Sequence, residues 1–433
     1  MTVTEGNSRL SRRTLGKLAV GAGFGAATYG GFRAASADTT SDTAAATWKA
    51  TGTAVPALSS FDSTMKSFMQ ARNITAGQLA VTYKGRLVLA RGYKWSADTA
   101  LNVQPTSLFR VASLSKSLTA AAIVKLVQDG KLTLTTKVGS ILDLTPPAGQ
   151  TRDPRLANVT LWQVLQHTGG WDSSVTPDPQ WNDRVVAKAL GVPMELYPKD
   201  VIKYMSGQLL DFTPGTKVAY CNFGYNLAGR VIEAVSGLPY ATYVQQKLLT
   251  PLGITRMAQG WSIAKHTGEV PYVSKYTGTT VLNETGDVVP APYGSFSMRV
   301  MDAHGGWIAS AVDMVRWASM FDKAGTVLGS TALGQVFKTP SLGVNPDGWY
   351  YGLGWAVRPV TTGGTGRNTW HVGSMPGTYT LLVRTYHGMS WAALFNQRDD
   401  ASGLGYGDID AQLWTAAGKV TAWPTNNLYS TYF

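Results

Sequence analysis

On either side of Lys84-Gly85 in "AGQLAVTYKGRLVLARGY" apolar and polar residues alternate, which predicts a β-hairpin. Just before it, "FDSTMKSFMQAR" reads as a first helix. "FRVASLSKSLTAAAIVKLVQDGKL" then sets two serines and a lysine ahead of apolar residues at helical spacing, and Gly130 marks the end of that helix. From about residue 150 to 290 the pattern is one of short helices joined by Pro/Gly turns, among them "LWQVLQHTGG" and "GYNLAGRVIEAVSG". "GGWIASAVDMVRWASMF" predicts one more amphipathic helix. Strand signals return in "WYYGLGWAV", "TWHVGSM", "YTLLVRTY" and "SWAALFNQR", the last two joined as a hairpin at His387-Gly388. "IDAQLWTAAGKV" closes the pattern as a helix. Strands near both ends with helices between them imply one sheet assembled from both termini, an inserted helical lobe, and a site at the seam.

Composition sharpens this picture. The 433 residues, 44% of them hydrophobic, can bury the core of one large domain or two interlocked lobes. Residues 1–37 differ from the rest. Arg12-Arg13, a weakly apolar Gly/Ala-rich stretch and the small-residue end Ala35-Ser36-Ala37 predict a twin-arginine export signal with its cleavage site. Gly21, Gly23 and Gly25 do not make a phosphate loop, because no strand precedes them. Export of a folded chain suits a sequence whose one cysteine, Cys221, can form no internal disulfide. The expected location is therefore secreted or extracytoplasmic, in a bacterium. The Thr/Ala-rich residues 38–57 lack periodicity and read as a linker, leaving 58–425 as the folded domain.

The net charge of +12 falls to +8 once residues 1–37 are removed. The surplus is compatible with anionic envelope polymers, but it is spread without a basic run, so solubility alone also accounts for it, and no nucleic-acid partner is expected. Beyond the signal, no uninterrupted apolar segment approaches membrane-spanning length, so no stable span is expected.

The chemistry begins with Ser113 and Lys116. Three residues apart on a helix, they share a face, and the amine can reach the hydroxyl. A serine needs a base, and a lysine serves as one when burial or neighbouring positive charge lowers its pKa. The helix N-terminus opposes a charged lysine and favours negative charge developing on the serine oxygen. The S-x-x-K spacing is weak evidence by itself, since Ser63/Lys66 and Ser262/Lys265 repeat it without supporting neighbours. A second element, Tyr220-Cys221-Asn222, lies between a Pro-Gly turn and an amphipathic helix. A tyrosine beside a lysine ammonium can act as general base, and an asparagine amide can hold both the lysine and a substrate carbonyl. Packing of Tyr220 under the following helix, with Asn222 as its cap, is the alternative. Cys221 reads as a small buried residue, pointed away by alternation. The third element is "WHVGSMPG": His371-Val372-Gly373 as a strand, Gly373 admitting a substrate backbone, and the amides of Ser374 and Ser113 as an oxyanion hole. An ordinary edge-strand histidine is the competing reading of His371.

These three elements, with "LFRVASLSK", "LLDFTPGTKVAYCN", "QHTGGW", "GGWIASAVDM" and "YGLGW", resemble the serine β-lactamase and penicillin-binding-protein superfamily over roughly Phe61 to Ala417. The similarity is to its class C β-lactamase, D-alanyl-D-alanine carboxypeptidase and family VIII esterase branch. The resemblance implies an α/β, β-lactamase/transpeptidase-like fold with an antiparallel sheet. It also implies Ser113 as the acylated nucleophile, Lys116 and Tyr220 sharing proton transfer, and Asn222, His371, Gly373 and Ser374 contacting substrate. His371 stands where the usual lysine of K-T-G would be, and Val372 replaces the threonine. A permanent charge and a hydroxyl for the substrate carboxylate are therefore missing, and an esterase or D-amino-acid peptidase is expected over an efficient β-lactamase. Arg367, just upstream, is a candidate replacement cation or else a solvated loop residue. His167 in "QHTGG" resembles a structural turn, and His304 precedes a helix. No H-E-x-x-H or cysteine cluster is present, so neither a catalytic metal nor a cofactor is expected, and the absence of G-x-S-x-G argues against an α/β-hydrolase elbow.

The expected activity is hydrolysis of an ester or amide through an acyl-enzyme, with a small-molecule or peptide acyl donor, cell-wall peptide included. Two alternatives stay open: an acyltransferase whose acceptor pocket draws on Trp162, Trp171, Trp181, Trp307, Trp349 and Trp370, and a penicillin-binding receptor that turns over slowly.

Overall fold

The computed structural model describes residues 33–34 and 45–433 apart from 326 and 361–365. The export signal expected over residues 1–37 therefore lies, except for strand β1 (Arg33–Ala34), outside the described residues.

Strand β2 (Thr47–Thr51) and helix α1 (Ser59–Ala71) lead into the hairpin β3 (Ala76–Tyr83) and β4 (Arg86–Ser96). Lys84 and Gly85 both take positive φ, 48° and 78°, as a tight hairpin turn requires. The chain then crosses through β5 (Phe109–Arg110) to α2 (Ser115–Gln128) and enters the helical lobe. That lobe holds α3 (Leu161–Leu165), α4 (Asp183–Leu190), α5 (Pro198–Met205), α6 (Asn222–Ser236) and α7 (Tyr240–Val244). Short strands β6 (Ala258–Gln259), β7 (Tyr276–Thr279), β8 (Val288–Pro290) and β9 (Trp307–Ala309) follow, then α8 (Ala311–Ser319) and α9 (Ser330–Val336). The C-terminal part supplies β10 (Tyr350–Tyr351), β11 (Ala356–Pro359), β12 (Arg367–Met375), β13 (Thr378–Arg384) and β14 (Met389–Phe395), closed by α10 (Asp408–Gly418) and α11 (Tyr429–Tyr432).

Eight strands form one antiparallel sheet in the order β10-β11-β12-β13-β14-β3-β4-β2, so both ends of the chain do build a single sheet. Its central strands are buried on both faces. Leu381 and Val383 of β13 and Trp391, Ala393 and Phe395 of β14 meet α1 and α10, while Leu382, Ala392 and Leu394 turn to the core shared with α2 and α8. Double-sided burial is why these strands read as nearly continuous apolar runs.

Two expectations are corrected, and the mostly helical lobe also carries three short strands. Residues 38–57 are not all linker: Thr47–Thr51 pair with Gly92–Ser96 as the edge strand, and Trp48 stacks on Tyr93 with ring centroids 5.4 Å apart. Two inward apolar positions on a five-residue edge strand are too few to show as alternation. The stretch "GGWIASAVDMVRWASMF", expected as one amphipathic helix, spends Trp307–Ala309 as β9 between β5 and β6, and a Ser310/Asp313 capping box starts α8 afterwards. Residues 258–290 of the helical lobe carry β6, β7 and β8.

Candidate active site

Ser113 does not lie in the first turn of α2, as its spacing predicts, but in the 3₁₀ turn Ala112–Leu114 that precedes it. Ala112 holds φ at 48°, a left-handed conformation costly for a residue with a Cβ and kept where the surroundings over-determine it. Three fastenings do so here. The Val111 amide donates to Trp307 O at 2.9 Å, Thr380 Oγ1 donates to Val111 O at 3.0 Å, and the buried Arg110 guanidinium donates to Pro292 O at 2.6 Å. The bend leaves Ser113 partly exposed while its neighbours Ala112 and Leu114 are buried.

Lys116 is fully buried, and its Nζ lies 3.0 Å from Ser113 Oγ, 2.7 Å from Asn222 Oδ1 and 2.9 Å from His304 O. Burial brings its pKa down to about 7, against the opposing pull of Asp178. An amine poised near neutrality beside a serine hydroxyl is what the spacing suggested, with desolvation as the larger cause.

The Tyr220 ring stands 4.8 Å from Lys116 Nζ, and Tyr220 is partly exposed at the seam. Asn222 is the first residue of α6, and Cys221 is its N-cap. Cys221 is buried, and desolvation pushes its thiol up to about 12, in keeping with a packing residue. His167 grips the chain on both sides of Tyr220: its carbonyl accepts from the Ala219 amide at 2.8 Å and its Nδ1 from the Cys221 amide at 3.1 Å. Its ring packs 4.3 Å from that of Tyr220. Nδ1 as acceptor fixes the neutral tautomer, and burial holds the pKa well below the usual histidine range. The "QHTGG" turn is thus structural, and what it structures is the tyrosine.

On β12 two of the expected site residues have partners within the protein. His371 is fully buried. Its Nδ1 lies 2.7 Å from Val372 O and must donate, so Nε2 accepts from the Tyr351 hydroxyl at 2.8 Å. Burial lowers its pKa to about 3. Each ring nitrogen thus has a partner within the protein, and the ring stands 6.4 Å from that of Tyr220. Gly373 makes its close approach to the protein itself: a Cβ there would collide with Val111 O, Thr380 Oγ1 and Leu114. Its missing side chain makes room for the Ser113 turn. Strand β11 pairs with β12 only as far as Trp370, so the 371–375 stretch runs past the Ser113 turn with β13 as its strand partner. Ser374 is on this stretch, and Arg398 Nη1 donates to its hydroxyl at 3.4 Å. Arg367 lies at the far end of β12, exposed, its guanidinium 4.9 Å from the Phe337 ring centroid, and supplies no charge here.

The sequence reading missed Arg398 and the contacts of His304 and Asp178. Asn222 Nδ2 donates to Asp178 Oδ2 at 2.6 Å. The signal at Asp178 is the Asp-Pro of a helix start, which foretells a cap and says nothing of a lysine 62 positions away. Of the tryptophans, Trp171, Trp307 and Trp370 are buried in the protein core, while Trp181 is half-buried and meets Phe296 edge-on at 5.4 Å. Among the described residues no three His, Cys, Asp or Glu side chains are placed to hold a metal, and no helix is long and apolar enough to cross a membrane.

A serine turn packed against β12, with a buried lysine of lowered pKa behind it, fits the class of molecule that the comparisons show. Residues 61–412 match the family model described as Beta-lactamase, and the chain belongs to that family. It is 29% identical over 262 residues to penicillin-binding protein 4 of Amycolatopsis lactamdurans, covering 57% of this chain and 59% of that protein. It is 27% identical over 224 residues to protein flp of Staphylococcus aureus strain MRSA252, covering 49% of this chain and 42% of that one. The chain thus spans about half the length of these curated relatives. Among solved structures it is similar to the octameric penicillin-binding protein homologue from Pyrococcus abyssi, with TM-score 0.63, 22% identity, and coverage of 83% of this chain and 77% of that one. It is also similar to a D-amino acid amidase from Ochrobactrum anthropi SV3, with TM-score 0.61, 20% identity, and coverage of 83% and 98%. Those two likenesses bear on the fold.

Proposed function

We propose that this protein is an exported serine hydrolase that cleaves an ester or amide through an acyl-enzyme on Ser113. The observation that carries the reading is the Lys116 amine, fully buried, its pKa brought down to about 7, and 3.0 Å from Ser113 Oγ. Neutral Lys116 takes the Ser113 proton as Oγ attacks the carbonyl carbon. The amides of Ser113 and Ser374 stabilise the oxyanion, and Tyr220 with Lys116 returns the proton to the leaving group. Water then repeats the sequence in reverse to free Ser113 and release the acid.

On the substrate side, His371 faces inward and Val372 brings no hydroxyl, which weighs against efficient β-lactam turnover. Arg398 beside Ser374 supplies a cation for a donor bearing a carboxylate, as a peptide or D-amino-acid derivative from the cell wall would. Intact mass spectrometry with a penicillin and, separately, a short-chain p-nitrophenyl ester tests the reading on wild type and Ser113→Ala. Adduct or turnover should vanish in the variant. A variant equal to wild type with both reagents removes Ser113 from the mechanism.

A further inference from the structure

Behind the nucleophile, a ring of hydrogen bonds closes through residues that the acyl-transfer steps do not use. Lys116 Nζ donates to Asn222 Oδ1 at 2.7 Å, and Asn222 Nδ2 donates to Asp178 Oδ2 at 2.6 Å. The Gln180 backbone amide donates to Asp178 Oδ1 at 3.0 Å, and the Gln180 side chain meets His304 Nε2 at 3.1 Å. The His304 carbonyl accepts from Lys116 at 2.9 Å and completes the circuit. Both Asp178 oxygens receive donors, the pattern of a carboxylate. With a lysine on one side of Asn222 and a carboxylate on the other, one amide orientation satisfies both. Flipping it would set NH₂ against ammonium and oxygen against oxygen.

Charge follows the same geometry. The ionisable groups packed about this ring are Tyr220, Tyr225, Cys221, His167, His304, His371, Asp178 and Asp183. Burial keeps Tyr225, Cys221 and the three histidines neutral, and holds Asp183 up at about 7. Burial also raises the pKa of Asp178, against the pull of the Gln180 amide, Asn222 and Lys116; it is the carboxyl that acts most on the lysine, and it is reached through a single amide.

We propose that Asp178 is a positioning residue for Lys116: it fixes the Asn222 amide with its oxygen toward the amine and supplies the negative charge against which the lysine proton is held. Gln180 and His304 complete the frame. This rests on the reading of Lys116 as the base for Ser113, so its test is one that needs no substrate. In protein labelled with ¹³Cε-lysine, with Lys116→Met assigning the signal, the titration midpoint of Lys116 is followed by NMR. In Asp178→Asn it should fall by about one pH unit, as loss of a nearby opposite charge requires, while Asp178→Glu stays near wild type. The acid limb of kcat/KM for an ester should move down in parallel. If Asp178→Asn does not fold, Asp178→Ser, which can still cap Pro179–Trp181, gives the same measurement. An unchanged midpoint in a folded charge-removing variant overturns the proposal, since a merely structural Asp178 would lower stability without moving Lys116. Turnover that survives Ser113→Ala instead overturns the acyl-enzyme reading and leaves the midpoint result standing.

Discussion

Lys116 shows how much one desolvated side chain carries. It sits in the first turn of α2, where the helix dipole already disfavours a cation, and burial does the rest. In the proposed mechanism the neutral form is the base, so kcat/KM for an ester should rise with pH through about 7 and level off above, the sign opposite to that of a catalyst needing lysine charged. Lys116→Arg should lose at least about 10²-fold, because a guanidinium does not give up its proton. His371 leads to a different expectation. Its Nε2 depends on the Tyr351 hydroxyl, so Tyr351→Phe strands a buried acceptor and should cost about 1–3 kcal/mol in chemical unfolding. KM should change little. A large rise in KM at normal stability would place His371 on the substrate side.

At the scale of elements, the meeting of β12 with the Ser113 turn matters most. Gly373 lets the strand lie against Val111 O, and Thr380 from β13 holds that same carbonyl. Gly373→Ala should push the turn away and lower kcat by about 10²-fold, because small displacements of a nucleophile cost that much. Steady-state kinetics alongside thermal melts separates this from simple destabilisation. The elements also show what a sequence reveals. The β3–β4 and β13–β14 hairpins and α1 were legible because alternation, helical spacing and turn residues coincide there. Spacing made Ser113 and Lys116 legible as neighbours, the family resemblance joined Tyr220 and Asn222 to them, and in the fold all four lie about the Lys116 amine. Edge strand β2 was hidden by its small apolar content, and the 3₁₀ turn at Ser113 by its tertiary fastenings to Trp307, Thr380 and Pro292. Asp178, His304 and Arg398 reach the site from segments whose local pattern states only a cap, a turn and a strand end. Their roles exist only once the lobes meet.

Across the whole molecule, the seam that makes the site places ionisable groups where water is scarce, and stability should record this. Asp183 at the start of α4 is 1% exposed and neither carboxylate oxygen has a hydrogen-bond partner, while Glu195 and Asp178 add repulsion to burial. Its pKa rises to about 7. A carboxyl raised in the folded state favours folding fully below its unfolded value near 4, and that advantage is lost as pH climbs through about 7. Buried His167, His304 and His371 act in the opposite sense, since their lowered pKa values penalise folding as pH drops below about 6.5. The total pH dependence therefore mixes opposing slopes, and a difference between proteins isolates one of them. Asp183→Asn should be more stable than wild type by ~1–3 kcal/mol at pH 8, where wild type must bury a charge. The gain should shrink as pH falls below about 7, be much reduced by about pH 5, and vanish only below about 4, where the carboxyl is neutral in the folded and unfolded chain alike. Denaturant unfolding at the two pH values measures this directly. A gain that is equal at both, or larger at pH 5, would mean that Asp183 finds a compensating donor at the seam and remains ionised there.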